Sequence, residues 1–156
     1  MQPNRPLYPF ALIVAWMSAL ALGACSPSRP EIRSADASNP ALVNTGKSIY
    51  DRLCASCHGT RLEGQPDWQS RKPDGKLPAP PHDATGHTWH HDDATLFDIT
   101  RNGLAKYGGP DYRTDMPKFD SVLKDEEIWA VLAYIKSTWP AETAQHQASL
   151  NRPARP

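Results

Sequence analysis

The chain has 156 residues, 17 of them basic and 17 acidic, so its formal charge at neutral pH is zero. That balance excludes the strongly basic surface a nucleic-acid partner requires. The length leaves room for one modest domain rather than several.

Residues 1–24 carry a single charge, Arg5, followed by an apolar run from Phe10 to Leu22. Crossing a bilayer takes about 20 apolar residues, so this run is short for a membrane helix and suits the core of a secretory signal. It ends in Leu22-Gly23-Ala24-Cys25, which resembles the lipobox of bacterial lipoproteins, where the signal is removed and the cysteine becomes an acylated N-terminus. Several acyl chains on one residue give stable membrane anchoring. The other reading, an ordinary cleavage site with an incidental cysteine, would leave a lone thiol in an exported protein. Cys25 is therefore the expected lipid attachment site, and the periplasmic face of a bacterial membrane, inner or outer, is the expected location. Residues 25–40, with Pro27, Ser28, Pro30, Ser34 and Ser38, read as a flexible tether.

One folded domain is expected over residues 41–140. Asn39 can cap a first helix with Pro40 at its first position, where a missing N–H costs nothing. Val43, Gly46, Ile49, Tyr50 and Leu53 form its apolar stripe. Next comes Cys54-Ala55-Ser56-Cys57-His58. Two cysteines three positions apart on a helical turn project toward one side, where they can add to the two vinyl groups of a haem. The adjoining histidine is then placed to reach the iron. Zinc would need a second such pair, which the chain lacks. A thioredoxin-like redox pair would follow a strand, whereas the residues before Cys54 read as helix. One motif means one haem.

The long stretch after His58 is rich in proline and glycine, and no segment alternates like a strand. It also holds His82, His87, His90 and His91. Imidazoles are the commonest transition-metal ligands, so this set could bind copper or zinc, or one member could take an axial position on the iron. The alternative is a polar loop whose histidines cap the next helix or meet haem propionates and water, since no two of them share regular ligand spacing on a helical face. A second helix is expected from Asp92 or Asp93 through Leu96, Phe97 and Ile99, ended by Gly103.

Met1 and Met17 leave with the signal, so Met116 is the one methionine of the mature chain. In Thr114-Asp115-Met116-Pro117 the proline pushes its neighbour into extended torsions, which suits a segment running past the far face of a haem. Met116 is the candidate sixth iron ligand, against the plainer role of filling a gap in the core. A third helix is expected from Asp125 to Thr138, with Asp125, Glu126 and Glu127 at its positive end, Pro140 just beyond, and Ile128, Val131, Leu132 and Ile135 on one face. Residues 141–156 have few large apolar side chains beyond Leu150 and read as a disordered tail with His146 solvated.

Taken in this order, Cys54 to His58, Asp115-Met116-Pro117 and Ala133-Tyr134-Ile135 make residues 41–139 resemble a class I monohaem cytochrome c of bacterial type. The resemblance implies an all-α fold of three main helices and long loops around one covalently attached haem c. It implies that the first and last helices cross at Gly46 and Tyr50 against Val131 and Tyr134. It implies a proline carbonyl, from Pro80 or alternatively Pro81, that orients His58 and makes it a more basic ligand. Trp89 is similarly placed to a tryptophan that meets a haem propionate, although packing would equally account for it. Lys124 departs from the usual Ser or Thr cap of the last helix, and the loop from Gly59 to Trp89 is longer than the family minimum.

The function this implies is single-electron transfer between redox proteins such as an oxidase, a dehydrogenase or another cytochrome, by a carrier that is not itself an enzyme. The loop around Tyr107, Gly108, Gly109 and Met116 is the expected contact surface. The competing reading is a haem protein with a vacated sixth position that binds small ligands or handles peroxide.

Overall fold

The computed structural model describes residues 33–109 and 111–151. The expected signal segment, Cys25 and the first half of the expected tether lie outside the described residues. Among the described residues six helices follow in order: α1 Pro40–Leu53, α2 Ala55–His58, α3 Asp93–Asn102, α4 Ala105–Gly108, α5 Asp125–Ser137 and α6 Ala141–Leu150, with a 3₁₀ turn at Thr88–His90. Among the described residues there is no strand, and none of the helices is long and apolar enough to cross a membrane.

Local chemistry sets the helix ends. The Asn39 side chain accepts from the N–H groups of Ala41 and Leu42, and Asp92 accepts from Thr95 N–H at 2.8 Å. Each satisfies donors that the first turn leaves without partners. At the start of α5, where Lys124 offers no cap, Glu127 reaches back to accept the Lys124 N–H at 2.8 Å.

The core is the crossing of α1 and α5. A Cβ on Gly46 would stand 1.9 Å from the Ala130 carbonyl oxygen, so the backbones touch at a point only glycine permits. One turn on, the rings of Tyr50 and Tyr134 lie 5.3 Å apart. The partner of Gly46 is thus Ala130 rather than Val131, which turns toward the interior cavity described below. Ile49, Ile128, Leu132 and Ile135 are buried around this crossing, each contributing about 1.5–3 kcal/mol. Helix α3 joins α5 through stacked Phe97 and Trp129 rings, 4.3 Å apart, and through Lys136, whose ammonium lies 2.7 and 2.8 Å from the two Asp93 carboxylate oxygens.

Two expected boundaries shift. Ala35 is buried, and Ser38 and Asn39 donate backbone N–H groups to Asp36, so the end of the expected tether is a turn pinned to the domain. The segment 141–150, expected to be disordered, is α6. Its Gln147 is fully buried and donates to the His91 carbonyl at 3.2 Å and to Asp93 at 2.7 Å, while the Asn151 side chain accepts the Asp93 N–H at 2.7 Å. Polar anchoring replaces the apolar stripe that was missing.

Candidate haem site

A cavity of about 370 Å³ opens beside the α1–α5 crossing. Cys54, Cys57, His58, Pro80, His82 and Met116 all line it, with Leu96, Ile99, Val131, Leu132 and Ile135 forming an apolar wall. Both cysteines are free thiols, Cys54 half-buried and Cys57 exposed. Burial, with a smaller contribution from Cys57, pushes the Cys54 thiol up to about 11.

His58 closes the short helix α2 and is buried. Its Nδ1 lies 2.9 Å from the Pro80 carbonyl oxygen. A carbonyl can only accept, so Nδ1 carries the proton and, in the neutral ring, Nε2 keeps its lone pair. Burial pushes the His58 imidazole below its ordinary value, against the opposing pull of the Pro80 bond, which favours the neutral form a metal ligand must have.

The surrounding backbone explains why Pro80 rather than Pro81 supplies this oxygen. Gln65 N–H donates to Ala79 at 2.9 Å, and His82 N–H donates to Leu62 at 2.8 Å, which sets the register of residues 79–82 against 62–65. Leu62 takes a left-handed φ of 66° to present that carbonyl, a conformation that costs a non-glycine residue about 1–3 kcal/mol. Gly64, at φ 69°, lies where a Cβ would be 2.4 Å from the Pro81 nitrogen. Without a side chain there, the two segments can come close enough to aim the Pro80 carbonyl at His58.

Met116 is half-buried, and its N–H donates to the Thr114 hydroxyl at 3.0 Å. The preceding one-turn helix α4 is tied to α3 by Asp98, which accepts from Lys106 at 2.9 Å and from Tyr107 at 2.7 Å.

Trp89 departs from the expected placement. It does not line the cavity; its indole N–H donates to the Ala84 carbonyl at 3.2 Å and its ring stacks on His90 at 3.7 Å. Trp89 therefore packs, and Trp68 is the tryptophan on the cavity wall, together with Gln65, Lys72 and Tyr112. Nothing local in the sequence singled these out.

The histidine set divides. His82 stacks on His58 with centroids 4.0 Å apart, while His87 meets His90 at 5.1 Å and His91 at 4.8 Å. His146, exposed on α6, presents its ring edge to Trp89 at 5.4 Å. Among the described residues, no three His, Cys, Asp or Glu side chains are grouped to hold a metal ion.

Comparison with known proteins is decisive for the family. The Cytochrome c family pattern matches residues 43–139. This chain belongs to the cytochrome c family.

Cytochromes from Mycobacterium bovis and Mycobacterium tuberculosis, each named as the cytochrome c subunit of a cytochrome bc1 complex, are 43% identical over 126 residues, covering 81% of this chain and 39% of the relative. The same subunit of Mycobacterium leprae is 41% identical over 56 residues, 36% of this chain and 19% of the relative. The chain thus spans 39% of the length of the first two. No solved structure is a significant match.

The cofactor of a cytochrome c domain is covalently bound haem c, and what the domain does is carry electrons. The residues here fit that group on their own chemistry. Two adjacent free thiols border an apolar cavity, and an imidazole on the same turn is held in the tautomer that leaves a ring nitrogen for iron.

Proposed function

We propose that the protein is a membrane-anchored monohaem c-type cytochrome that passes single electrons between respiratory or dehydrogenase partners on the periplasmic side, with iron held by His58 and Met116. The observation that carries this reading is the convergence of Cys54, Cys57, His58 and Met116 on one cavity, with His58 Nδ1 bound to Pro80.

Haem c, when bound, supplies an iron that gains and loses one electron. The chain's residues set the conditions for that exchange. Cys54 and Cys57 would hold the ring by thioether bonds, so the cofactor is not lost when the domain breathes. Neutral His58 offers Nε2, and the Pro80 carbonyl makes it a stronger donor. A methionine thioether favours the reduced state more than a second imidazole does. The wall of Leu96, Ile99, Val131, Leu132 and Ile135 keeps water from the interior.

The mycobacterial relatives, as cytochrome c subunits of a cytochrome bc1 complex, support a partner that is a respiratory complex. The Leu22-to-Cys25 segment supports a lipid on Cys25 and a place at the membrane, inner or outer. Intact mass of protein matured in its host should exceed the mature polypeptide by one haem plus the acyl groups. Cys25→Ser should release the cytochrome from membranes. The ferric protein should show the sulfur-to-iron charge-transfer band, and Met116→Ala should abolish it while allowing carbon monoxide to bind the ferrous form quickly. A wild-type protein that lacks the band and binds carbon monoxide as quickly would sink the Met116 assignment.

A further inference from the structure

His82 lines the cavity and stacks on the candidate iron ligand. The ring centroids lie 4.0 Å apart and the planes 20° from parallel, a stacked van der Waals contact against the face of His58. His82 is itself held at three points. Its Nδ1 pairs with the Thr88 hydroxyl at 2.6 Å, its N–H donates to Leu62 at 2.8 Å, and its carbonyl accepts the Trp139 indole N–H at 2.8 Å. Thr88 and Trp139 are both buried, and the Tyr50 ring meets His82 edge-on at 6.3 Å.

An aliphatic side chain could fill this space without desolvating an imidazole. Filling alone therefore does not account for a histidine there, or for the buried hydroxyl that satisfies it. The Pro80 bond fixes the tautomer and the direction of Nδ1 but leaves the His58 ring some freedom to rock, because a hydrogen bond weakens steeply only when bent below about 120°. A flat ring stacked at contact distance leaves less, since tilting drives ring atoms into one another.

We propose that His82 is a positioning residue that locks the plane of the His58 imidazole. Through that plane it sets the ligand field at the haem iron, with Thr88 and Trp139 as its clamps. This inference rests on His58 being the iron ligand, as proposed above.

The test uses the holoprotein and two variants, His82→Leu and Thr88→Val. Electron paramagnetic resonance of the ferric state and the hyperfine-shifted haem-methyl proton resonances both report the orientation of an axial imidazole. Expected for His82→Leu are displaced g values, a changed order or spread of the methyl resonances and a shifted reduction potential, with the covalent haem and the low-spin spectrum retained. Thr88→Val should move the same observables in the same direction by less, and it decides the matter alone if His82→Leu does not fold.

Unmoved g values and methyl resonances, even with a lowered melting temperature, would overturn the positioning role and leave His82 as packing. Nitrogen hyperfine coupling from ¹⁵N-histidine in the wild-type protein separates the two layers. Its absence removes His58 as ligand, and its presence with unmoved variants removes only the role of His82.

Discussion

The two walls of the cavity are built by different forces. On the side of His58, backbone meets backbone: Gly46 against Ala130, Gly64 against Pro80 and Pro81, and the Tyr50 hydroxyl donating to the Gly59 carbonyl at 2.9 Å. On the side of Met116, helix α4 has no buried residue, and the loop is tied by surface ion pairs, Lys106 to Asp98 and Lys76 to Asp115. Packing resists water and salt, whereas exposed charge pairs are weak and screened. The His58 side should open only with the whole domain, and the Met116 side should open locally at much lower free energy. With His58 and Met116 as the proposed ligands, a cytochrome built this way would keep its cofactor while Met116 could exchange.

The contrast breaks most severely at the helix crossing. Gly46→Ala puts a methyl 1.9 Å from the Ala130 carbonyl, which a backbone cannot easily yield. Overpacking of this kind costs about 1–3 kcal/mol, and a rigid backbone neighbour puts this site at the upper end. Thermal unfolding of the holoprotein should show that loss, with both walls failing together. Gln147→Ala comes next. It leaves the His91 carbonyl without that donor and opens a hole beside Asp93, for about 1–3 kcal/mol. Faster amide exchange confined to α6 and the start of α3 would show that the C-terminal helix clasps the folded domain.

Much of this was legible because it is local. Asn39 and Pro40, Asp92 and Gly103, and the acidic turn at Asp125 mark helix ends within a few residues of themselves, and the structure places α1, α3 and α5 there. The cysteine and histidine spacing is likewise contained in one turn. What was not legible depends on distant chain. Helix α6 forms through Gln147 reaching into a polar pocket made by residues more than fifty positions away, so its own sequence shows no stripe to read. Its run of alanine, glutamine and glutamate, all good helix formers, was the available signal. Pro80 and Pro81 could not be separated without knowing how near Gly64 comes. Trp68 and Trp89 differ only in which of them the fold turns toward the cavity.

The ion pairs sharpen the comparison from the weak side. Lys76 pairs with Asp115, the neighbour of Met116, and the carboxylate is more than half exposed. Lys76→Ala should therefore cost little global stability. If that loss falls on the local opening of the Met116 loop, binding of imidazole or cyanide to the ferric protein should speed up by as much as about fivefold. High salt should reproduce part of this in the wild type. An unchanged binding rate in both cases would mean that the loop is held by something other than charge.

The smallest effect concerns acid. Asn102, Lys106 and Tyr107 all donate to Asp98, and these bonds lower its carboxyl from an ordinary 3.8 to about 2. A carboxylate depressed in the folded state contributes stability that is fully present above its unfolded value and is lost as pH falls through the folded one. The contribution of Asp98 is thus complete above about 3.8 and fades toward about 2. Because Asp98 fastens α4 to α3, acid in that window should loosen the Met116 loop before it disturbs His58. Carbon-13 NMR of the Asp98 carboxyl should titrate at about 2, and Asp98→Asn should flatten the acid dependence of the charge-transfer band over the same window. A band whose acid dependence survives that substitution would place the sensitive group elsewhere on the loop, and the weak wall would then owe its acid response to a different tie.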